Sequence, residues 1–152
     1  MAGDTCQVDF YVLQDEEKSV EHLACQLAMM AWEQGLRSML LTSGEGQVKK
    51  LDELMWSVPA GRFLPHQPAA QAAKDIAATA GPAPVTIGTM SDLDNSAAEV
   101  IINLDLHAVP RPDRFKRLLE LVPARDAERE ASRIKFRTYR EVGLQPVSHK
   151  MG

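Results

Sequence analysis

Cysteine is nearly absent from this chain. Cys6 and Cys25 are the only two among 152 residues, and no CxxC spacing joins them. That excludes a disulfide framework and fits reduced thiols in a cytoplasmic protein. Long apolar runs are missing too. The longest, Leu23 to Trp32, covers about ten residues and contains Gln26, whereas a bilayer span needs roughly 20. The opening MAGDTCQVDF has neither a basic nor an apolar segment, so no secretory signal is expected. Net positive charge is lacking as well: 17 Lys and Arg against 21 Asp and Glu leave a formal charge of -4. This argues against a general nucleic-acid coat protein, but not against a local basic patch.

Catalytic motifs are equally scarce. His22, His66, His107 and His149 form neither HxxxH nor HExxH, so no metal site is expected. No GxSxG is present. Cys25 falls between Leu23 and Leu27 on the apolar side of a helical pattern, where a buried structural thiol is expected rather than a nucleophile. Asp92 and Asp94 in MSDLDNS read as an acidic surface loop. The turn TSGEGQVKK invites a phosphate-binding reading, because glycine-rich turns at helix starts present backbone N–H groups to phosphates. But GxxxxGK[ST] is absent, Lys50 is followed by Leu51, and the third position of GxGxxG is Lys49. A plain turn that binds no ATP is expected there, with no cofactor anywhere.

What is present is an ordinary globular composition, 45% hydrophobic and 25% charged. QVDFYVL, Gln7 to Leu13, reads as a strand. Ser19 can cap the next helix, in which Val20, Leu23, Ala24, Leu27, Met30 and Ala31 recur at helical spacing until Gly35. RSMLLTS then reads as a buried strand, and GQVKKLDELMW as a second amphipathic helix with Val48, Leu51 and Leu54 or Met55 on one face. Strand, helix, strand, helix suggests a βαβ unit. The stretch from Ser57 to Pro84, with five prolines, reads as loops around an Ala-rich segment. PVTIG and EVIINLD restore the strand signal. Asp113 to Leu121 reads as a helix with Phe115, Leu118, Leu119 and Val122 apolar, and Asp126 to Glu141 as the last helix, ending near Gly143 and Pro146. The sum is a three-layer, Rossmann-like α/β domain over residues 1–147, with a mainly parallel sheet, no working phosphate loop and a short tail at 148–152.

One segment departs from the acidic balance. SRIKFRTYR, Ser132 to Arg140, has four basic residues in nine and no acidic one. On a helix, Arg129, Arg133, Phe136 or Arg137, and Arg140 are spaced by three and four and share a face, with Lys135 beside it. Val122, just before the helix, can supply an apolar floor. A solvated face mixes signs at i,i+4, as ARDAERE upstream does; here the charge turns wholly positive. Two readings stand side by side. Phe136 and Tyr139 pack into the core with the arginines in water, or the face receives an anionic partner with an apolar group, since Arg forks grip carboxylates and phosphates.

The chain resembles the chi subunit family of bacterial DNA polymerase III holoenzyme across nearly its whole length. The landmarks are VDFYVL, VEHLACQLAMMAWEQG, LDELMWSVPAGRFLPH, EVIINLD, LLELVPARD and SRIKFRTYREVGL. The most specific are the L-D-E-x-x-W…F-x-P-H stretch and the R-x-x-F-R-x-Y-R-x-x-G pattern. The resemblance implies a non-catalytic adaptor of DNA replication. Such a protein binds the C-terminal tail of single-stranded DNA-binding protein and, as a 1:1 heterodimer, the psi subunit, which ties it to the clamp loader. Contact with single-stranded DNA would then be indirect. The family's tail-binding positions fall on Arg129, Arg133, Phe136 and Arg140, with Val122 as apolar floor and Lys135 flanking. Position 136 carries Phe where the family has a familiar Tyr, which removes a hydroxyl. An aromatic pair of the psi-facing surface matches Trp56 and Phe63.

The tail is acidic and ends in an apolar residue with a free carboxylate, which suits guanidinium groups around a ring. A contact of that size implies affinity of roughly micromolar, about -8 kcal/mol, and several tails on one multimer raise the effective concentration. Two other classes remain open: a direct single-strand binder that stacks bases on Phe136 and Tyr139, and a nucleotide-dependent enzyme on the same scaffold, since fold alone does not set function.

Overall fold

The computed structural model describes residues 6–57, 65–69 and 84–151. Its centre is a seven-stranded sheet in the order β3-β4-β2-β5-β6-β1-β7, with every neighbouring pair parallel. The strands are β1 (Gln7–Leu13), β2 (Ser38–Leu41), β3 (His66–Pro68), β4 (Val85–Gly88), β5 (Val100–Asn103), β6 (Arg117–Val122) and β7 (Val147–Met151). The described α-helices are α1 (Val20–Glu33), α2 (Glu45–Leu54) and α3 (Asp126–Glu141).

Helices cover both faces. One core cluster joins Leu40, Ile87, Ile102, Leu119 and Leu121 of the sheet to Leu23, Leu27, Val48 and Leu51 of α1 and α2. The other joins Val8, Phe10, Met39, Leu41, Ile101, Leu118 and Val122 to Tyr139 of α3 and to Leu144. Successive residues of β2, Met39, Leu40 and Leu41, thus alternate between two cores. An inner parallel strand buried on both sides reads as a continuous apolar run for that reason. This is the expected three-layer α/β architecture.

The helix ends follow local chemistry. Ser19 Oγ accepts from the N–H groups of Glu21 and His22, at 3.1 and 3.3 Å, and caps α1. Gly35, at φ +76°, closes α1: Leu36 N–H returns to Ala31 O and Gly35 N–H to Trp32 O, both at 2.9 Å. Gly143, at φ +92°, closes α3 in the same way, with Leu144 N–H on Tyr139 O and its own N–H on Arg140 O, both at 3.0 Å. Each pair of bonds is a Schellman motif.

β1 and β2 are parallel strands of one sheet, with β5 and β6 between them. Three expectations change. The helix expected over Asp113–Leu121 is absent: Pro112–Arg114 forms a single 3-10 turn, and β6 follows. Phe115, Leu118, Leu119 and Val122 match a helical period, but short apolar runs fit either element, and pairing on both sides with β5 and β1 decides for the strand. His66–Pro68, expected as loop, is an edge strand of three residues. Residues 148–151, set apart as a tail, are most of β7 and pair in parallel with β1. The Ala-rich segment and Phe63 lie outside the described residues.

Candidate partner-binding site

α3 divides its charges between two faces. Lys135 and Tyr139, four residues apart, turn inward and are 5% and 0% exposed. Beneath them Glu120 of β6, fully buried, accepts from Lys135 Nζ at 2.8 Å, Tyr139 Oη at 2.5 Å and Asn103 Nδ2 at 2.8 Å. Lys135 Nζ also donates to Asp105 O. Tyr139 Oη accepts from Val109 N–H at 2.9 Å, and Asn103 Nδ2 donates to His107 O at 2.9 Å. Burial pushes the Glu120 carboxyl above the usual range, against the pull of Lys135, Tyr139 and Asn103. Burial, reinforced by the Glu120 charge, also pushes the Tyr139 phenol up.

The outward face carries the arginines. Arg129, Arg133, Phe136 and Arg140 follow one another at steps of four, three and four, so they lie in one stripe beside the buried one. Phe136 is half-buried, with its ring 5.3 Å from that of Phe10. Arg133, Phe136, Arg137, Arg140 and Glu141 line an open hollow of about 430 Å³. Arg133 Nη1 lies 2.8 Å from Glu130 Oε2, one turn back. Arg137 and Arg140 form no ion pair among the described residues. Arg129 Nε is buried and has no hydrogen-bond partner among the described residues.

The structure therefore brings Arg129, Arg133, Phe136 and Arg140 together and places two other candidates elsewhere. Lys135 does not join the arginine face; its ammonium is held by Glu120 and is closed to an incoming anion. Val122 is 2% exposed within the cluster that Phe136 packs against, so it supports the ring rather than forming a surface floor. Tyr139, buried and with its hydroxyl both donating to Glu120 and accepting from Val109, offers no face to a nucleobase, which removes one of the two stacking platforms of the direct single-strand reading. Trp56 stands in the turn after α2, 66% exposed, with its ring edge-on to His66 at 4.9 Å.

The nucleotide reading also loses ground. Parallel α/β sheets bind ligands outside the carboxyl ends of their strands, and a crevice of about 530 Å³ lies there, bordered by the starts of α1, α2 and α3. But Glu21 projects at the start of α1 and accepts from Ser19 Oγ at 2.9 Å and Gln47 Nε2 at 3.0 Å, with Lys50 Nζ at 3.6 Å. Burial opposes its ionisation, and the bonds from Gln47 and Ser19 and the charge of Lys50 outweigh that, holding its pKa low. A phosphate would meet this fixed negative charge. Neither Gly44 nor Gly46 has any neighbour within 4 Å of where a Cβ would stand, so no close backbone approach requires glycine there. Asp94 pairs with Arg114 at 2.8 Å and Arg111 at 3.2 Å, and Asp92 caps a 3-10 turn by accepting from Thr89 N–H. Among the described residues no group of three His, Cys, Asp or Glu is arranged to hold a metal. Burial pushes the Cys25 thiol up to about 12 and the Cys6 thiol to about 11, so both stay protonated at neutral pH.

Sequence reasoning missed Glu120 and Asp9. Asp9, in the first strand, accepts from Arg117 Nη2 at 3.1 Å and pairs with His149 Nε2 at 2.9 Å, tying β1 to β6 and β7. The signal was available: a lone carboxylate inside an apolar run, as in RLLELV and QVDFYVL, demands a buried partner.

The family model of the DNA polymerase III chi subunit, HolC, matches residues 6–147. The DNA polymerase III subunit chi of Pseudomonas aeruginosa is 36% identical over 146 residues, covering 95% of this chain and 96% of that protein. The corresponding subunit of Escherichia coli is 28% identical over 140 residues, with 89% and 91% covered. That of Haemophilus influenzae is 25% identical over 144 residues, with 94% and 96% covered. The chain belongs to the chi subunit family of DNA polymerase III, a family of accessory subunits of DNA replication.

Proposed function

We propose that this chain is a non-catalytic adaptor that binds the acidic C-terminal tail of single-stranded DNA-binding protein on the arginine face of α3. A second surface around Trp56, to which Phe63 is assigned, binds the psi subunit and so joins the tail to the clamp loader. The carrying observation is the stripe of Arg129, Arg133, Phe136 and Arg140, in which the buried Nε of Arg129 has no partner and Arg140 has no counter-ion among the described residues. Guanidinium forks suit the carboxylates of the tail, and the half-buried ring of Phe136 suits its terminal apolar residue. The adaptor works in the cytoplasm without cofactor or metal and meets single-stranded DNA through its partner.

The test is a titration with a short acidic peptide ending in Phe, against a scrambled control. Arg133→Ala is expected to weaken binding by about 1.5–3 kcal/mol, the range for a hydrogen bond to a charged group. Rising salt should weaken it further, since exposed charges are screened within about 10 Å at 0.1 M. Equal binding by wild type and variant means that the peptide sits elsewhere. Saturable binding of single-stranded DNA with no peptide binding supports the direct reading instead.

A further inference from the structure

We propose that Glu130 sets the affinity of the arginine face by holding Arg133 in the free protein and yielding it to an incoming carboxylate. This rests on the tail-binding reading above. Of the arginines on that face, Arg133 is the one with a counter-ion among the described residues: Glu130 Oε2 lies 2.8 Å from its Nη1, and the two side chains are 65% and 69% exposed. Nη1 is one of the two nitrogens that grip a carboxylate end-on. A ligand carboxylate that engages Arg133 in this way exchanges one exposed ion pair for another, so the net gain is only a fraction of the new contact. It also approaches a negative charge that stays within one helical turn.

Glu141 supplies the comparison. It lines the same hollow as Arg137 and Arg140, carries the same charge, and has no ion pair among the described residues. If Glu130 acts only through the overall charge of the face, the two glutamates are equivalent. If it acts by occupying Arg133, they are not. Exposed ion pairs contribute little each, which places the effect of releasing Arg133 at roughly two- to fivefold in affinity.

The experiment titrates the full chain, as wild type, Glu130→Gln, Glu141→Gln, Arg133→Ala and Arg133→Ala/Glu130→Gln, with an acidic peptide ending in Phe with a free carboxylate. Thermal melting confirms that each variant folds. Glu130→Gln is expected to bind roughly two- to fivefold more tightly than wild type, Glu141→Gln to gain less, and the gain to vanish when Arg133 is also removed. Equal gains from both glutamines, or a gain that survives the loss of Arg133, overturn the proposal in favour of general charge. No gain from Glu130→Gln overturns it outright. If neither wild type nor any variant binds the peptide, it is the tail-binding reading that fails, and this inference fails with it.

Discussion

Glu120 is held by three donors from two elements, and its position explains why a charged residue persists in the core. Lys135, Tyr139 and Asn103 meet on it from α3 and β5. A buried pair of this kind adds little net stability over apolar packing, but breaking it leaves an uncompensated charge. Lys135→Met is therefore expected to destabilise the fold by about 3–5 kcal/mol in denaturant unfolding, with most of the loss restored when Glu120→Leu is added. Arg133→Ala, on the exposed face, is expected to change stability by less than about 0.5 kcal/mol. Lys135 and Arg133 stand two apart in a segment that reads as uniformly basic, yet helical geometry sends one into the core and one into water. Sequence reasoning grouped them because spacing gives relative angles, not which angle faces the sheet.

Asp9 carries a pH dependence of known sign. Burial disfavours its charge, but the bonds from His149 and Arg117 outweigh this and lower its pKa below the ordinary value of 3.8. A depressed carboxylate contributes stability that is present above its unfolded pKa and is lost as pH falls through the folded one. Asp9→Asn should then cost about 1.5–3 kcal/mol at pH 7. The gap between variant and wild type should close as pH drops below about 4, in paired denaturant titrations at each pH.

Among the elements, the clear successes have strong local signals and the failures do not. β1 and α3 fall at the expected bounds, because one is flanked by turn residues and the other ends on a glycine in the left-handed region. β6 was misread because both its faces are buried, which erases the alternation that marks a strand. β7 was missed because VSHKM is polar and short and is made a strand by pairing with β1 and by the bond of His149 to Asp9. No local pattern announces a partner 140 residues away. At the end of α3, Gly143→Ala must place a Cβ at φ +92°. The expected cost is about 1–2 kcal/mol, read as a lower melting temperature, although nothing lies within 4 Å to clash. An unchanged melting temperature would mean that the Schellman turn relaxes without penalty.

For the whole molecule, the account separates two surfaces. The arginine face lies on α3, which packs against β6 on one side of the sheet; Trp56 follows α2, which belongs to the opposite core. Surfaces with no shared contacts should behave additively. Trp56→Ala is expected to weaken the psi-type partner by about 2 kcal/mol or more, as for an aromatic anchor, and to leave the tail untouched. Arg133→Ala should do the reverse. The most direct measurement captures the chain on immobilised psi subunit and then titrates the tail of single-stranded DNA-binding protein over it. The account predicts that the captured chain binds the tail with the affinity of the free chain, that Arg133→Ala is captured but binds the tail about 1.5–3 kcal/mol more weakly, and that Trp56→Ala binds the tail but is poorly captured. Loss of both partners in either folded variant, or release of the chain from psi as the tail binds, would contradict it.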